Sequence, residues 1–177
     1  MSSDLTIRYA GPVPFDRFAD ETRKTLCSVL HWASCPTLIE FSAPNCPSTR
    51  PRPQYLGPEE EWYMLGFTET GFLFELGVCQ NGRVPEFRVE LGAGPPVACA
   101  AAIAAATALA RLSHAPVADT ALCFTNHFEL AADRFLEEVQ RGKRHDRLLQ
   151  AAESSLGAQG SAGVECECRP AGPGLGE

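Results

Sequence analysis

Residues 62–91 read WYMLGFTETGFLFELGVCQNGRVPEFRVEL, and this stretch decides the fold because two turn signals join three apolar-rich segments. Glu69-Thr70-Gly71 forms the first predicted turn, and Asn81-Gly82 can supply the positive φ values of a tight hairpin turn. Towards the end of the stretch, apolar and charged residues alternate, which is typical of a half-buried antiparallel strand. The pattern predicts a three-stranded meander over residues 62–68, 72–79 and 84–91.

The chain before the meander is predicted to contain a strand, a helix and a second strand. Alternation predicts a strand at Leu5–Tyr9, and apolar residues at helical spacing predict a helix from Phe15 to Leu30. Thr37–Phe41 has the composition of a short strand. Residues 42–58 contain five prolines and no periodic apolar pattern, so they are expected to form a loop.

The chain after the meander begins with LGAGPPVACAAAIAAATALARL, residues 91–112, whose alanine content predicts a helix that packs closely on the sheet. Thr120–Phe124 is apolar enough for another strand. A last helix is predicted to begin near Asn126, whose side chain could cap it while Glu129 reaches back in a capping box. Its predicted buried residues are Phe128, Ala132, Phe135 and Val139.

These elements predict an α+β fold with a mainly antiparallel sheet, a central meander, and helices packed on one face. Pro85 is expected to place the beginning of the last meander strand at a sheet edge. Residues 1–156 are predicted to form a single domain, and residues 157–177 a flexible tail rich in Gly, Ala and Pro.

The charge and the helix-forming stretch argue against several function classes. The net charge is −7, which argues against a nucleic-acid partner and suits a basic protein partner. Gly92 and Gly94 precede the alanine-rich helix, but Pro95 and Pro96 lack the N–H groups with which a phosphate loop binds its ligand. The alanine-rich run is too short to cross a bilayer, so no membrane association is expected.

The eight cysteines leave two minority alternatives open. Cys99 lies near the beginning of the alanine-rich helix and could be the nucleophile of a cysteine hydrolase with His114 or His127 as base, although the small residues around it favour a buried structural role. Cys27, His31, Cys35 and Cys46 could hold zinc, but they lack a tight Cys-x-x-Cys pair. We expect no metal and no cofactor, and mostly free thiols in a reducing cytoplasm.

The strongest functional signal is an acidic run beside aromatic residues. Glu59, Glu60 and Glu61 lie between the proline-rich loop and Trp62, and Tyr55 lies within that loop. Exposed aromatic side chains next to carboxylates are good anchors for a protein partner. These five residues are the predicted partner-binding site, and no catalytic residue is assigned.

A small α+β domain with an acidic surface, an acidic–aromatic segment and no catalytic motif resembles, in type, the bacterial immunity proteins that neutralise a cognate toxin. The resemblance covers the whole chain, rests on no motif and transfers no residues. It implies a cytoplasmic protein, a monomer or homodimer, that inhibits a basic toxin by binding it. Acidic chaperones of secreted effectors share this profile and remain the main alternative, followed by the hydrolase using Cys99.

Overall fold

The computed structural model describes residues 3–33, 37–43, 46–57, 62–67, 71–79, 85–91 and 96–142, together with residues 146 and 150. The strands in these ranges are β1 (Ser3–Arg8), β2 (Val13–Pro14), β3 (Leu38–Ala43), β4 (Cys46–Pro47), β5 (Tyr55–Leu56), β6 (Trp62–Phe67), β7 (Gly71–Cys79), β8 (Glu86–Leu91), β9 (Val117–Ala118) and β10 (Glu129–Leu130). The helices are α1 (Phe15–Leu30), α2 (Pro96–Ser113) and α3 (Ala132–Arg141).

Eight of these strands form one sheet in the order β10-β9-β1-β8-β7-β6-β3-β4, and every pair in it is antiparallel. β2 and β5 form a separate antiparallel pair. β6, β7 and β8 are consecutive neighbours, which confirms the predicted meander. The predicted α+β class with an antiparallel sheet is confirmed.

The edge position predicted for β8 is wrong, because β8 lies between β1 and β7 in the interior of the sheet. Pro85 precedes the strand, and its carbonyl accepts a hydrogen bond from the Tyr9 N–H at 3.0 Å. Proline lacks only the donor, so a position just before an interior strand accommodates it without loss of a ladder hydrogen bond.

Helix α2 is the centre of the core. It packs against β1, β7 and β8, while α1 and α3 pack against α2 itself. Its alanines from Ala100 to Ala106 are almost entirely buried, because small side chains let the helix approach both the sheet and α1 closely. By length and hydropathy α2 could cross a membrane, yet 78% of it is buried inside the protein, as in a core helix. The packing of α1 and α3 on the same face as α2 stays a prediction.

The predictions for residues 119–131 are wrong. Thr120–Phe124 is not a strand, and its place in the sheet is taken by β9 and β10 on either side of a loop. Helix α3 begins at Ala132 and has no side-chain cap, so Asn126 is not its N-cap. Phe128 is 65% exposed and lies outside the buried stripe, which keeps Ala132, Phe135 and Val139.

Two other predictions are only partly tested. The predicted loop over residues 42–58 contains the short strands β4 and β5, which pair with β3 and β2. Residues 151–177 lie outside the described residues, and with them the predicted tail and the C-terminal boundary of the domain. Gly92 and Gly94 also lie outside the described residues.

Candidate functional site

The alternation of side chains along the sheet separates an apolar face, which contacts α2, from a second face that carries the polar residues. Leu5, Phe87 and Leu76 belong to the buried core on the α2 side. Along each strand, the residues that alternate with these core residues point to the opposite face, because successive side chains in a strand point to opposite sides of the sheet. We call this second surface the polar face and define it by Asp4, Thr6, Trp62, Met64, Glu75, Gly77, Arg88 and Glu90.

Three carboxylates form a row across the polar face. Asp4 in β1 is directly opposite Glu90 in β8, and Glu90 is directly opposite Glu75 in β7. Residues in direct register share a face, and like charges at such positions are destabilising. The row therefore costs the fold stability, which favours a role outside folding for these side chains.

Arg88 neutralises one end of this row. Its Nε and Nη2 both donate to Asp4 Oδ2, with the Nε contact at 2.7 Å, whereas its Nε lies 3.9 Å from Glu90 Oε1. The hydrogen bonds to Asp4 raise the pKa of Arg88 above its ordinary value. The Asp4 side chain is only 10% exposed, and its Oδ1 is buried without a hydrogen-bond partner. Arg88 is thus committed mainly to one oxygen of one carboxylate.

The negative charges of the other two carboxylates in the row, Glu90 and Glu75, are only weakly offset by neighbouring positive charge. Burial raises the pKa of Glu90, the charges of Asp4 and Glu75 raise it further, and Arg88 opposes them. The side chain of Glu75 makes no ion pair or hydrogen bond within the described part of the chain. The row therefore holds more negative charge than its surroundings neutralise.

The indole of Trp62 covers Gly77 on the same face. A Cβ atom built on Gly77 would lie 2.8–2.9 Å from three carbons of the six-membered ring, so the ring lies directly over the glycine backbone. Trp62 is nevertheless 41% exposed. Because one side of the ring is occupied by Gly77, the exposed area includes its outward side, which is available to a ligand.

The structure places only part of the predicted partner-binding site. Trp62 lies at the beginning of β6 on the polar face, and Tyr55 lies in β5 of the two-stranded sheet, 47% exposed. The two aromatic residues thus belong to different sheets. Glu59, Glu60 and Glu61 lie outside the described residues, so their position relative to Trp62 stays a prediction.

Sequence reasoning missed the carboxylate row. The signal was present in part, because the alternation around Glu86, Arg88 and Glu90 marks a polar side of β8. The pairing of β8 with β1 joins residues 86 positions apart, and it is this pairing that brings Asp4 beside Glu90. A local sequence pattern does not show which distant strand pairs with β8 or in which register.

The geometry bears on part of each cysteine-based alternative, and the pairing of Cys99 with His127 stays a prediction. Cys99 is half-buried against the core, and His114 follows the far end of the same helix, about 22 Å away along the axis at 1.5 Å per residue. His114 therefore cannot act as base for Cys99. Cys27 is disulfide-bonded and so has no thiolate to offer zinc. No group of three potential ligands for a metal ion occurs among the described residues.

No protein-family model, no curated protein and no solved structure matches the chain.

Proposed function

We propose that this protein is a protein-binding module, an immunity protein of the type that inhibits a cognate basic toxin in the bacterial cytoplasm. The observation that carries the proposal is the exposed Trp62 ring on a sheet face that also holds an undercompensated row of carboxylates. We therefore propose that the acidic–aromatic surface lies on the polar face with Trp62 at its margin, and that Glu59, Glu60, Glu61 and Tyr55 contribute to it.

The physical chemistry of this surface suits tight recognition of a cationic protein. Tryptophan is enriched among the residues that dominate binding energy, because a large rigid ring loses little entropy on burial. A net charge of −7 attracts a basic partner over a distance and raises the association rate at low salt. Such a module needs no cofactor, since its effect is to block the partner's own site.

A co-expression experiment tests the proposal. The protein encoded beside this chain's gene is expressed in a bacterial host with and without the chain, and growth is measured. We expect the neighbouring protein to stop growth and the chain to restore it. Trp62→Ala should weaken the purified complex about thirtyfold, the equivalent of about 2 kcal/mol for an aromatic anchor, as measured by calorimetry.

Charge reversal provides the second arm and its control. Glu59→Lys, Glu60→Lys and Glu61→Lys together should weaken binding more at low than at high salt. The same change of charge at Asp16, Asp20 and Glu137, which are exposed on α1 and α3, should leave binding within about threefold. A neighbour that is harmless, or whose toxicity the chain does not relieve, contradicts the proposal. If the chain binds the neighbouring protein and promotes its export without inhibiting it, the chain is a chaperone instead.

A further inference from the structure

We propose that the loop between β9 and β10, residues 119–128, inserts the side chains of Leu122 and Phe128 into an apolar cleft on a positively charged protein. That protein is the basic partner of the proposed function, on which this contact rests for the identity of its partner. The loop is a second contact surface, separate from Trp62 and the carboxylate row, and it fits an apolar cleft with a cationic rim.

The loop exposes apolar area that the rest of the chain mostly buries. Phe128 is 65% exposed and Leu122 is 41% exposed, whereas Phe87 and Phe135 are fully buried. Of the four large apolar side chains that are exposed within the described ranges, two belong to this loop. Single exposed apolar residues are normal on a protein surface, but a pair held on one short loop is typical of an interaction site.

Backbone hydrogen bonds hold the two residues close together. The Asp119 N–H donates to the Phe128 carbonyl at 2.8 Å, and the Leu122 N–H donates to the Asp119 carbonyl at 3.0 Å. Both residues are thus bonded to Asp119, so their backbones lie within about 10 Å of each other. A cleft of roughly 300–1,000 Å³, the usual size of a ligand pocket, has room for both side chains.

The loop is ordered before any partner binds. The buried carboxylate of Asp119 accepts hydrogen bonds from the N–H groups of residues 123–125 at 2.8–3.0 Å. The Thr125 hydroxyl donates to the His127 carbonyl at 2.7 Å and fixes the segment just before Phe128. A loop that is already ordered loses little conformational entropy when it docks, which favours tight binding.

Leu122 is held in a backbone conformation that a leucine disfavours. Its φ is 50°, in the left-handed region where the Cβ atom crowds the backbone. Burial does not repay this cost in full, because the side chain remains 41% exposed. Strain of this kind persists where the surrounding structure enforces it, and it is concentrated at functional positions. Leu122 therefore has the profile of a binding residue.

The charge around the loop selects a basic protein over a membrane or a second copy of the chain. Residues 112–133 contain Asp119, Glu129 and Asp133 but no lysine or arginine. Glu129 is exposed directly after Phe128, and its side chain makes no ion pair or hydrogen bond within the described part of the chain. Anionic lipids and another copy with its net charge of −7 are repelled by this surface, whereas a cationic rim is attracted to it.

The loop is far enough from Trp62 to contribute independently, yet close enough to share one interface. Strands β10 and β6 are five positions apart in the sheet, which is about 24 Å at the usual spacing of strands. A standard interface buries about 800 Å² on each partner, which corresponds to a patch about 30 Å across. Because separated residues rarely couple, the effects of Trp62 and Phe128 variants on binding should add.

The test is a calorimetric titration of the full chain and its variants with the purified protein encoded beside its gene. Phe128→Ser should weaken the complex about tenfold and Leu122→Asn about fivefold, because each variant removes apolar area from the contact. Ala121→Ser, at an exposed position in the same loop, is the control and should change the dissociation constant by less than about twofold.

A stability measurement separates a binding role from a structural one. Asparagine adopts the left-handed region at lower cost than leucine, so Leu122→Asn should maintain or raise the denaturation midpoint while it weakens the complex. Phe128→Ser should leave the midpoint nearly unchanged, because the ring is mostly in solvent. A marked fall in the midpoint of either variant would show that the side chain serves the fold and would contradict the proposal.

Two further measurements address the other possible occupants. We expect the chain to stay in the supernatant when vesicles of phosphatidylcholine, with or without phosphatidylglycerol, are sedimented. We expect Phe128→Ser to leave the oligomeric state unchanged in analytical ultracentrifugation. Vesicle binding that depends on Phe128 would identify a lipid surface as the occupant, and dimerisation that depends on Phe128 would identify a second copy; either result overturns the proposal.

The outcomes for the loop and for the proposed function are distinguishable. If the chain binds and neutralises its neighbour and both loop variants bind equally well, the loop contact alone is refuted. If the loop variants weaken binding to a neighbour that is not toxic, the immunity function is refuted and the loop contact stands. A neighbour that does not bind the chain contradicts both.

Discussion

At the residue scale, the buried carboxylate of Asp119 organises the loop between β9 and β10. Its Oδ1 accepts the N–H of Cys123 at 3.0 Å, and its Oδ2 accepts those of Phe124 and Thr125 at 2.8 and 2.9 Å. Asp119 is 1% exposed, and its carboxylate accepts hydrogen bonds from three backbone N–H groups that lie in the loop, outside the strands of the sheet. Leu122, in the same loop, has a positive φ of 50°.

Replacement of Asp119 by alanine should lower the free energy of unfolding by roughly 2–4 kcal/mol, because three backbone N–H groups lose a charged acceptor. Chemical denaturation measures the change, and hydrogen exchange should show faster exchange at residues 123–125. Thr120→Ala, an exposed neighbour in the same loop, is the control and should change stability by less than about 0.5 kcal/mol. Unchanged exchange at residues 123–125 would contradict this role.

Sequence reasoning assigned the capping role in this region to Asn126 and overlooked Asp119. Both residues can accept hydrogen bonds from following N–H groups, so their types alone do not distinguish them. The pairing of β9 with β1 and β10 buries Asp119 and leaves Asn126 exposed. The choice between the two residues therefore depended on strand pairing with a distant part of the chain.

At the element scale, Arg111 at the end of α2 links the three helices. Its Nη1 donates to Glu21 Oε1 and Thr25 Oγ1 on α1, at 2.8 and 3.0 Å. Its Nε and Nη2 donate to Asp133 Oδ1 on α3, at 2.9 and 2.7 Å. A cation in the last turn also suits the helix dipole. α3 begins without a side-chain cap, so this contact is important for its docking.

Arg111→Ala should cost roughly 1–3 kcal/mol of stability, because Glu21 and Thr25 are half-buried or buried and lose their shared donor. Hydrogen exchange should show that α3 opens more often while the meander stays protected. Arg134→Ala is the matched control, since among the described residues Arg134 pairs with exposed or half-exposed glutamates on its own helix, and it should cost less than about 0.5 kcal/mol. Equal effects of the two variants would contradict the linking role of Arg111.

The elements themselves were largely predictable because their signals are local. The apolar spacing of α1 predicted Phe15–Leu30, and the turn residues around Gly71 predicted the meander. The two-residue strands β2, β4, β5, β9 and β10 were not predicted, since so few residues carry no period. Such strands exist only because a neighbour offers them hydrogen-bond partners.

At the scale of the whole molecule, the cysteines bear on the compartment in which the chain folds. Cys27 is disulfide-bonded, whereas Cys46, Cys79, Cys99 and Cys123 are half-buried and form no disulfide. The sequence predicted mostly free thiols, which agrees with the lack of a disulfide at these four positions, and Cys27 is an exception. Disulfides are rare in a reducing cytoplasm, so the predicted cytoplasmic location is directly testable through this residue.

In protein refolded in an oxidising buffer, alkylation of the denatured, unreduced chain followed by peptide mass mapping should label Cys46, Cys79, Cys99 and Cys123 and leave Cys27 unlabelled. Reduction before alkylation should add label at Cys27 and serves as the control. The comparison is made on protein from the cytoplasm and on protein refolded in an oxidising buffer. Full labelling of Cys27 in the cytoplasmic sample, with protection only after oxidation, would support the predicted compartment; labelling in both samples would contradict the disulfide.

The sequence by itself determined the fold class, the meander, the long helices and the acidic character of the surface, because composition and short-range periodicity carry this information. Only the tertiary structure decided that Asp4, Glu75 and Glu90 lie in one row, that Trp62 rests on Gly77, and that Asp119 is buried. These features depend on strand register and on contacts between distant segments. The physical reason is that a sheet joins residues by hydrogen-bond pairing across the chain, and pairing leaves no periodic trace in either partner alone.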